Sequence, residues 1–242
     1  MLFRSEAIQS VLNNTYQNYE LIIVDDQSTD QTVKIVESFL SKSKKIKLYQ
    51  NEINLGDYPN RNRGVSYAKG EFISFVDSDD KLHPNTINTL VQSLSSKPDF
   101  NFAMTWQHSK ERFELAGFDA IRRHFFELNF LNIGPGETFF RKSFFEIIGG
   151  YPTKYGPAND MYFNLKVCSF SKIHLEPFEF IYYRRHDGQE INNNYSYLYN
   201  NYNYLNDALK EINLNLNQSE IKWLLKKNKR RFIINEIGRA HV

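Results

Sequence analysis

The sequence has one cysteine, Cys168, among its 242 residues. A single cysteine excludes an intramolecular disulfide framework and a metal cluster built from cysteines. Excess charge is also lacking, because 30 lysines and arginines stand against 28 aspartates and glutamates, for a formal net charge of +2. Since such a weak field does not indicate nucleic-acid binding, we expect no nucleic-acid partner.

Long apolar runs are missing too. No run approaches the roughly 18 to 20 residues that a membrane-spanning helix needs, and the first residues lack the apolar core of a signal peptide. Together with the single cysteine, this predicts a cytoplasmic protein. A peripheral association with the inner face of the membrane stays open as an alternative.

The two ends of the chain have unusual sequences. MLFRS (Met1–Ser5) and IGRAHV (Ile237–Val242) are similar to in-frame translations of a sequencing adapter, so we leave them out of the fold prediction. The expectation is an internal fragment of a longer protein whose natural start and end are missing. The alternative is that both are ordinary terminal residues.

The rest of the chain predicts an α/β fold with one sizeable core. Hydrophobic residues make up 41% of the sequence, and helical and strand periods alternate from Glu6 onward. Buried strands are expected at Leu21–Val24 and Phe72–Val76, with a short strand near residues 46–49 and a further strand at residues 100–106. Helices are predicted between them, one opened by a capping box of Ser28 and Gln31 and one starting at Pro84.

The second half is less regular. Helices are predicted at residues 118–126, 143–148, 160–168 and 197–212, with an extended segment at residues 134–142. The basic run KKNKRR (Lys226–Arg231) is typical of a solvated helix face, and a membrane surface or an acidic partner is the alternative. His83, His108, His124 and His174 have no metal-ligand spacing and are assigned structural or surface roles.

Two predicted strands end in carboxylates. Asp25 and Asp26 follow the first strand, and Asp77, Asp79 and Asp80 follow Phe72–Val76. In a doubly wound sheet, ligands bind beyond the carboxyl ends of the strands, so both clusters are expected at one crevice. Such hard oxygen ligands suit Mg²⁺ or Mn²⁺ carrying a diphosphate.

The aspartates of the second cluster are also compatible with roles that involve no metal. Asp80 is expected to cap the helix that starts at Pro84. An EF-hand does not fit, because its turn glycine is replaced by Leu82. An aspartyl nucleophile at Asp77 is an alternative, although it leaves the first cluster unexplained.

Three motifs in order carry a family resemblance: VDDQSTDQT (Val24–Thr32), NLGDYPNRNRGVSYAKGEFISFVDSDD (Asn54–Asp80), and Asn159-Asp160. The chain resembles the family 2 glycosyltransferases of the GT-A fold over residues 6 to about 189. The resemblance implies a Rossmann-like, mixed, mostly parallel sheet flanked by helices in residues 6–190, and a helical C-terminal extension in residues 191–236. A Rossmann dehydrogenase is disfavoured, since no G-x-G-x-x-G follows a strand.

The resemblance also implies roles for the acidic residues. Asp26, with Asp25 beside it, corresponds to the aspartate that contacts the nucleotide. Asp77 and Asp79 are the outer residues of the DXD motif, where Asp79 resembles the ligand of Mn²⁺ or Mg²⁺ and Asp77 lies near the ribose and the metal. Arg61 resembles a basic residue near the nucleotide, and a helix-surface charge is the alternative.

Further roles are implied for residues downstream. Asp160 resembles the general base that deprotonates the acceptor hydroxyl, although Asn159 replaces the usual preceding glutamate. Asp160 could instead only cap its helix. In YYRRHDG (Tyr182–Gly188), Arg185 and His186 are assigned to the diphosphate, and an edge segment with solvated charges is equally consistent with this sequence.

The resemblance also exposes a gap. Family members begin with an apolar strand that helps build the nucleotide pocket, and here only the helix after it is present. The expected activity is inverting transfer from a nucleotide-diphosphate sugar, a UDP-sugar, to a saccharide or lipid-linked saccharide acceptor of bacterial surface polysaccharide. The alternative is a noncatalytic module that binds nucleotide or sugar.

Overall fold

The computed structural model describes residues 2–186 and 194–239. Nine helices and nine strands occur in these ranges. The helices are α1 Leu2–Leu12, α2 Thr32–Leu40, α3 Asp57–Tyr67, α4 Thr86–Ser95, α5 Gly117–Phe126, α6 Lys142–Ile147, α7 Asn159–Phe170, α8 Asn194–Glu211 and α9 Gln218–Arg239. The strands are β1 Leu21–Asp25, β2 Ile46–Gln50, β3 Phe72–Ser74, β4 Lys81–Leu82, β5 Phe102–Thr105, β6 Phe113–Leu115, β7 Thr138–Arg141, β8 Ile173–Glu176 and β9 Ile181–Tyr182.

The chain divides into two compact units. The first contains residues 1–114, 134–151 and 174–184, and the second contains residues 115–133, 152–173 and 185–242. The sheets belong to the first unit, apart from the end residues Leu115 and Ile173. The second unit is built mainly from α5, α7, α8 and α9.

The strands of the first unit form three sheets. β1 pairs in parallel with β2, and β4 pairs with β9 in the antiparallel direction. The largest sheet has the order β3-β7-β5-β8-β6, in which β7 runs antiparallel to β3 and β5 while β8 runs parallel to β5. The predicted α/β class, with helices flanking a mixed sheet and helices at the C-terminal end, is confirmed.

Among the described residues, β1 and β3 each have one edge that carries no partner strand. β1 is paired with β2 along one edge only, and β3 ends the five-stranded sheet. Apolar side chains of α1 and α2, including Ile8 and Val36, pack on the β1–β2 sheet. A second cluster, which includes Leu90 and Phe139, lies between α4 and the larger sheet.

Some local predictions were wrong. The predicted capping box at Ser28 and Gln31 is absent, because Gln31 makes no side-chain cap bond; instead the Thr32 amide donates to Asp30 Oδ1 at 2.9 Å. Residues at the start, which the fold prediction excludes, belong to α1, and Arg4 Nη1 lies 3.2 Å from Asp30 Oδ2.

The second unit has a well-packed centre. Phe163 and Val167 of α7 are fully buried, and Asn164 donates to the carbonyls of Leu131 and Ile133 at 2.8 and 3.0 Å. His124 of α5 is buried, and its Nδ1 accepts a hydrogen bond from the Leu131 amide at 3.0 Å. Within the two described ranges, no helix is both long and apolar enough to cross a membrane.

Candidate active site

A cavity of about 480 Å³ lies in the first unit, beside β1 and the segment that follows β3. Its lining includes five of the predicted site residues: Asp25, Asp26, Arg61, Asp77 and Asp79. The two acidic clusters therefore meet at one place, as the shared-crevice argument predicted. Three other predicted residues, Asp160, Arg185 and His186, do not line this cavity.

Asp25 contributes a buried carboxylate. It is the last residue of β1 and is 7% exposed. Its Oδ2 accepts a hydrogen bond from the Ser28 amide at 3.1 Å, whereas its Oδ1 is buried and has no hydrogen-bond partner among the described residues. Because an unsatisfied buried acceptor is costly, this oxygen is suited to a donor supplied by a ligand.

Asp26 has a different environment. Its Oδ1 accepts hydrogen bonds from the Leu55 amide at 2.8 Å and from Asn51 Nδ2 at 2.7 Å, and its Oδ2 accepts one from the Gly56 amide at 2.8 Å. Gly56 has a φ of 83°, a conformation that glycine adopts readily. Asp26 thus holds the loop that leads into α3.

Arg61 lies inside a cluster of acidic side chains. Its Nη2 lies 2.7 Å from Asp77 Oδ1, and its Nε donates to Asp57 Oδ1 at 2.9 Å. Its side chain is only 14% exposed, and its guanidinium lies 5.4 Å from the centre of the Phe75 ring. Although burial opposes the charged form, the carboxylates of Asp77 and Asp57 keep the pKa of Arg61 above its usual range.

The alternative role for Arg61, a charge on the helix surface, does not fit this burial. Asp57 was missed as part of the site. The signal for it was present in the sequence, because Asp57 precedes Arg61 by four residues on one helix, the spacing at which opposite charges meet. Asn60 was missed as well: its Nδ2 donates to the Val24 carbonyl at 3.1 Å.

Asp80 does not cap the helix that it was expected to cap. It is 1% exposed, and its Oδ1 accepts a hydrogen bond from the Arg184 amide at 2.9 Å. The residue at the N-cap of α4 is Asn85, so the predicted capping role is wrong. Burial, together with the nearby carboxylates of Asp77 and Asp79, raises the pKa of Asp80 to about 6.

The carboxylates at this cavity can hold a divalent cation only if a bound ligand supplies further oxygen atoms. The described residues contain no group of three or more histidine, cysteine, aspartate or glutamate side chains placed to hold a metal ion. Asp77 and Asp79 line the same cavity, and Mg²⁺ or Mn²⁺ commonly binds through one or two carboxylates while phosphate oxygens complete the shell. The donor set therefore fits a cation that arrives with a phosphorylated ligand.

Asp160 lies in the second unit, in the first turn of α7. The side chain is half-buried, and its Oδ1 accepts a hydrogen bond from the Met161 amide at 2.6 Å. Asn159 is 2% exposed, and it accepts from the Tyr155 amide at 3.0 Å and donates to the Gly156 carbonyl at 2.7 Å. Asn159 thus fixes the turn that precedes α7.

The YYRRHDG segment is described only in part. Arg185 is exposed and His186 is half-buried, while Asp187 and Gly188 lie outside the described residues. Arg184, which was not predicted to act, makes an ion pair of 2.9 Å from Nη2 to Glu6 Oε2. It also stacks on Phe3 at 4.3 Å, so it anchors the segment to α1.

Known relatives match parts of the chain. GlyG of Streptococcus pneumoniae serotype 4, described as a glycosyltransferase, is 40% identical over 92 residues, which are 38% of this chain and 31% of that protein. The GalNAc(5)-diNAcBac-PP-undecaprenol beta-1,3-glucosyltransferase of Campylobacter jejuni is 35% identical over 91 residues, 37% of this chain and 29% of that protein. The match thus spans about a third of the length of these relatives.

Solved structures share the fold over nearly the whole chain. S. aureus TarS 1-349, crystallised in complex with UDP, has a TM-score of 0.70 at 21% identity, covering 94% of this chain and 67% of that one. The mannosyltransferase PcManGT of Pyrobaculum calidifontis, in complex with GDP-Man and Mn²⁺, has a TM-score of 0.59 at 14% identity, covering 95% and 70%.

The sequence model described as Glycosyl transferase family 2 matches residues 5–149. This range includes Asp25 at the end of β1, the adjacent Asp26, Arg61 of α3, and the segment from Asp77 to Asp80. It therefore includes every residue of the cavity that was predicted as a site. The matched range is more than half of the chain, and on this evidence the chain belongs to glycosyl transferase family 2.

Proposed function

We propose that this chain is part of a glycosyltransferase that moves a sugar from a nucleotide-diphosphate sugar to a hydroxyl group. The proposed donor is a UDP-sugar, and the proposed acceptor is a saccharide or lipid-linked saccharide in the synthesis of surface polysaccharide or glycoconjugate. Family membership supports the reaction class, and the structural likeness to a protein crystallised with UDP supports the donor class. The name of the Campylobacter relative supports a lipid-linked acceptor.

One observation carries the proposed donor site: the buried Oδ1 of Asp25 faces no protein donor in the described residues, while its carboxylate lines a cavity shared with Asp77 and Asp79. A nucleotide offers what this arrangement lacks. Its base N–H groups and ribose hydroxyls are hydrogen-bond donors for Asp25, and its diphosphate brings the oxygens that a cation at Asp77 and Asp79 would need.

In the proposed site, Asp79 holds Mg²⁺ or Mn²⁺, and Asp77 lies near the ribose and the metal while paired with Arg61. The bound cation would neutralise negative charge on the leaving diphosphate. Arg61 adds a fixed positive charge beside the proposed cation site, because its Nη2 is held 2.7 Å from Asp77 Oδ1. Arg185 and His186 are proposed to contact the diphosphate as well.

Asp160 is the proposed general base. In inverting transfer, the bond from the acceptor oxygen to the anomeric carbon forms as the bond from that carbon to the diphosphate breaks. The acceptor proton passes to the Asp160 carboxylate. The hydrogen bonds of Asn159 support a structural role for that residue, so its amide in place of glutamate does not remove the base.

The donor site is tested by calorimetric titration of UDP with and without Mn²⁺. We expect binding that requires the metal and is lost in Asp79→Asn. The matched control is Asp99→Asn, which removes the same charge at an exposed position. Binding that survives Asp79→Asn, or that is lost equally in Asp99→Asn, would remove Asp79 as the metal ligand.

A second experiment tests the base. Asp160→Asn is expected to abolish sugar transfer while leaving UDP affinity unchanged, since Asp160 does not line the donor cavity. Transfer that is indifferent to this substitution would remove Asp160 from the reaction. UDP binding without transfer or donor hydrolysis in the unmodified chain would favour the other candidate, a noncatalytic module.

We also propose that an apolar strand belongs between β1 and β3. All five residues of β1 line the cavity, and so do the consecutive residues from Phe75 to Asp79. Side chains alternate between the two faces of a strand, so a cavity over one face would meet every second residue. Contact with consecutive residues supports a groove that runs along the unpaired edge of β1 and beside the segment that follows β3.

The surroundings of this groove suit such a strand. Ala7, Ile8 and Val11 of α1 and Val36 of α2 line it, so a strand within it would be covered by apolar side chains. A strand that leads into α1 and lies parallel to β1 would form a β-α-β unit, the usual way in which parallel strands are connected. The domain in residues 6–190, without its first strand, and the extension in residues 191–236 remain our proposed organisation.

Hydrogen exchange tests this strand without using nucleotide. A short apolar segment, fused ahead of Leu2 through a polar linker, should slow exchange of the β1 amides and of Phe75 and Val76. The control is the same segment with alternate residues replaced by proline, which cannot complete a ladder. If both segments protected these amides from exchange equally, or if neither did, the proposed strand would be contradicted. This outcome would not bear on the UDP titration, which tests the donor site separately.

A further inference from the structure

The long helix α9 has two unlike faces. Leu224, Asn228 and Phe232 lie four residues apart and face the rest of the second unit. Leu224 is 3% exposed, Asn228 donates to the Tyr202 carbonyl at 2.9 Å, and the Phe232 ring lies 4.6 Å from the Tyr202 ring. These contacts fix which side of α9 faces solvent.

The solvent-facing side carries large apolar residues. Trp223 is 49% exposed, and Ile233, Ile234 and Ile237 are 43%, 54% and 55% exposed. Phe126, at the end of α5 and 40% exposed, lies against Trp223 with 5.9 Å between ring centres. Exposed apolar groups that adjoin one another mark an interaction surface more often than scattered ones do.

Basic residues share this face. Lys226, Lys227 and Arg230 are exposed, and with Trp223, Ile233, Ile234 and Ile237 they follow a spacing of three and four residues, which places them on one side of a helix. Lys227 Nζ lies 4.7 Å from the centre of the Trp223 ring. We call the set of Trp223, Lys226, Lys227, Arg230, Ile233, Ile234 and Ile237 the α9 outer face.

Charge along this part of the helix is one-sided. Between Lys222 and Ile237 there are six basic residues and one acidic residue, Glu236. Among the described residues, none of these six makes an ion pair within 4.0 Å. Their positive charge is therefore available to an outside partner.

We propose that the α9 outer face docks on an anionic lipid surface. Basic side chains would lie at the headgroups, while Trp223 and the three isoleucines enter the boundary between headgroups and acyl chains. The chemistry disfavours a nucleic acid, whose phosphates would leave four large apolar side chains uncovered. A second copy of the same face is disfavoured too, because a symmetric contact would bring like charges together.

Vesicle co-sedimentation tests this docking. The unmodified chain should bind phosphatidylcholine vesicles that contain about a third phosphatidylglycerol, and binding should fall in high salt, since salt screens attraction between exposed charges. It should not bind vesicles of phosphatidylcholine alone. Absence of binding to the anionic vesicles would overturn the proposal.

Charge-reversal variants locate the surface. The triple variant Lys226→Glu, Lys227→Glu, Arg230→Glu should weaken binding at least about tenfold, because each basic residue near an anionic surface contributes about fivefold. The control is Lys34→Glu, Lys42→Glu, Lys44→Glu, which makes the same net charge change at exposed sites of the first unit. Equal loss in both triple variants would show that net charge, and not this face, drives binding.

The apolar half is tested by fluorescence in a Trp106→Phe background, which leaves Trp223 as the one tryptophan. Trp223 emission should shift to the blue when anionic vesicles are added, and Ile233→Ser with Ile234→Ser should reduce the binding. Unchanged emission from protein that sediments with the vesicles would overturn docking through this face. Self-association that depends on the same residues, measured by analytical ultracentrifugation without lipid, would instead assign the face to a second copy.

Discussion

Arg61 Nη2 lies 2.7 Å from Asp77 Oδ1, so a largely buried arginine holds the first carboxylate of the Asp77–Asp80 cluster. The same guanidinium donates to Asp57 Oδ1 at 2.9 Å. Five carboxylates, those of Asp25, Asp26, Asp57, Asp77 and Asp79, line the cavity with it. Arg61, which contacts two of them, offsets part of their mutual repulsion.

Replacing Arg61 should lower stability. Arg61→Gln leaves Asp57 and Asp77 without their partner, and we expect a loss of about 1–2 kcal/mol, because both carboxylates remain partly solvated. Arg61→Lys should recover part of this loss, since it restores the charge without the forked geometry. Urea unfolding measures the effect. The control is Arg63→Gln on the same helix, and an equal loss there would contradict the charge argument.

Asp25 and Asp26 are adjacent but should respond differently to substitution. Asp26→Ala removes an acceptor of three hydrogen bonds, and we expect a stability loss of about 2–3 kcal/mol with faster hydrogen exchange at Leu55 and Gly56. If those two amides exchanged at an unchanged rate, Asp26 would not be holding the loop.

Asp25→Asn should leave stability nearly unchanged, because asparagine can still accept from the Ser28 amide and the substitution removes a buried charge. In the same variant we expect the affinity for UDP to fall at least about tenfold, the equivalent of one charge-assisted hydrogen bond. Calorimetry measures it. Unchanged UDP affinity would mean that the buried Oδ1 of Asp25 does not face the nucleotide.

His124 should make stability fall in weak acid. Burial lowers the pKa of His124 from 6.5 to about 4, so the unfolded chain binds a proton more readily than the folded one between these values. The contribution of His124 to the free energy of unfolding is therefore fully present above pH 6.5. It is lost as the pH falls towards 4, and the loss amounts to up to about 3 kcal/mol. Thermal unfolding across this pH range measures the fall.

His124→Asn is the matched variant for this test. Asparagine can place an oxygen near the position of Nδ1 and keep the hydrogen bond from the Leu131 amide, but it does not titrate. The variant should be less stable at neutral pH, because it fills less volume, and its stability should depend less on pH. An unchanged pH dependence would assign the effect to other groups.

Gly117 should tolerate no side chain. A Cβ at this position would lie 1.8 Å from the Cys168 carbonyl oxygen and 2.4 Å from that of Ser171. Because backbone must move to admit it, Gly117→Ala should cost about 3 kcal/mol or more. Gly134→Ala is the control, since nothing lies within 4 Å of its Cβ, and it should change the unfolding free energy by less than about 0.5 kcal/mol.

The sequence predicted those parts of the site that depend on local pattern. Apolar runs that end in aspartate predicted Asp25 and Asp77 at the ends of strands. Asp25 does end β1, whereas Asp77 lies three residues after the end of β3, and both line one cavity. The ion pair of Asp57 and Arg61 could also have been predicted, because the two residues are four positions apart on a helix.

Partners that are distant in sequence could not be predicted in this way. Aspartate before a helix is equally suited to capping or to accepting from any buried amide, and Asp80 accepts from Arg184, 104 residues away. The fixed loop at Leu55 and Gly56 likewise depends on Asp26, 29 and 30 residues earlier. Nothing local distinguishes such an aspartate from one that faces a ligand.

The separation of β1–β2 from the five-stranded sheet has a consequence for dynamics. No ladder of hydrogen bonds joins the two sheets in the described residues, so each can open without breaking the ladder of the other. The β1–β2 sheet should then behave as a separate foldon, and the free energy of opening that exposes its amides to exchange should be lower than for β5 and β7. Since the cavity takes Asp25 from one sheet and Asp77 from the segment after the other, a ligand bound to both would join two foldons into one cooperative unit.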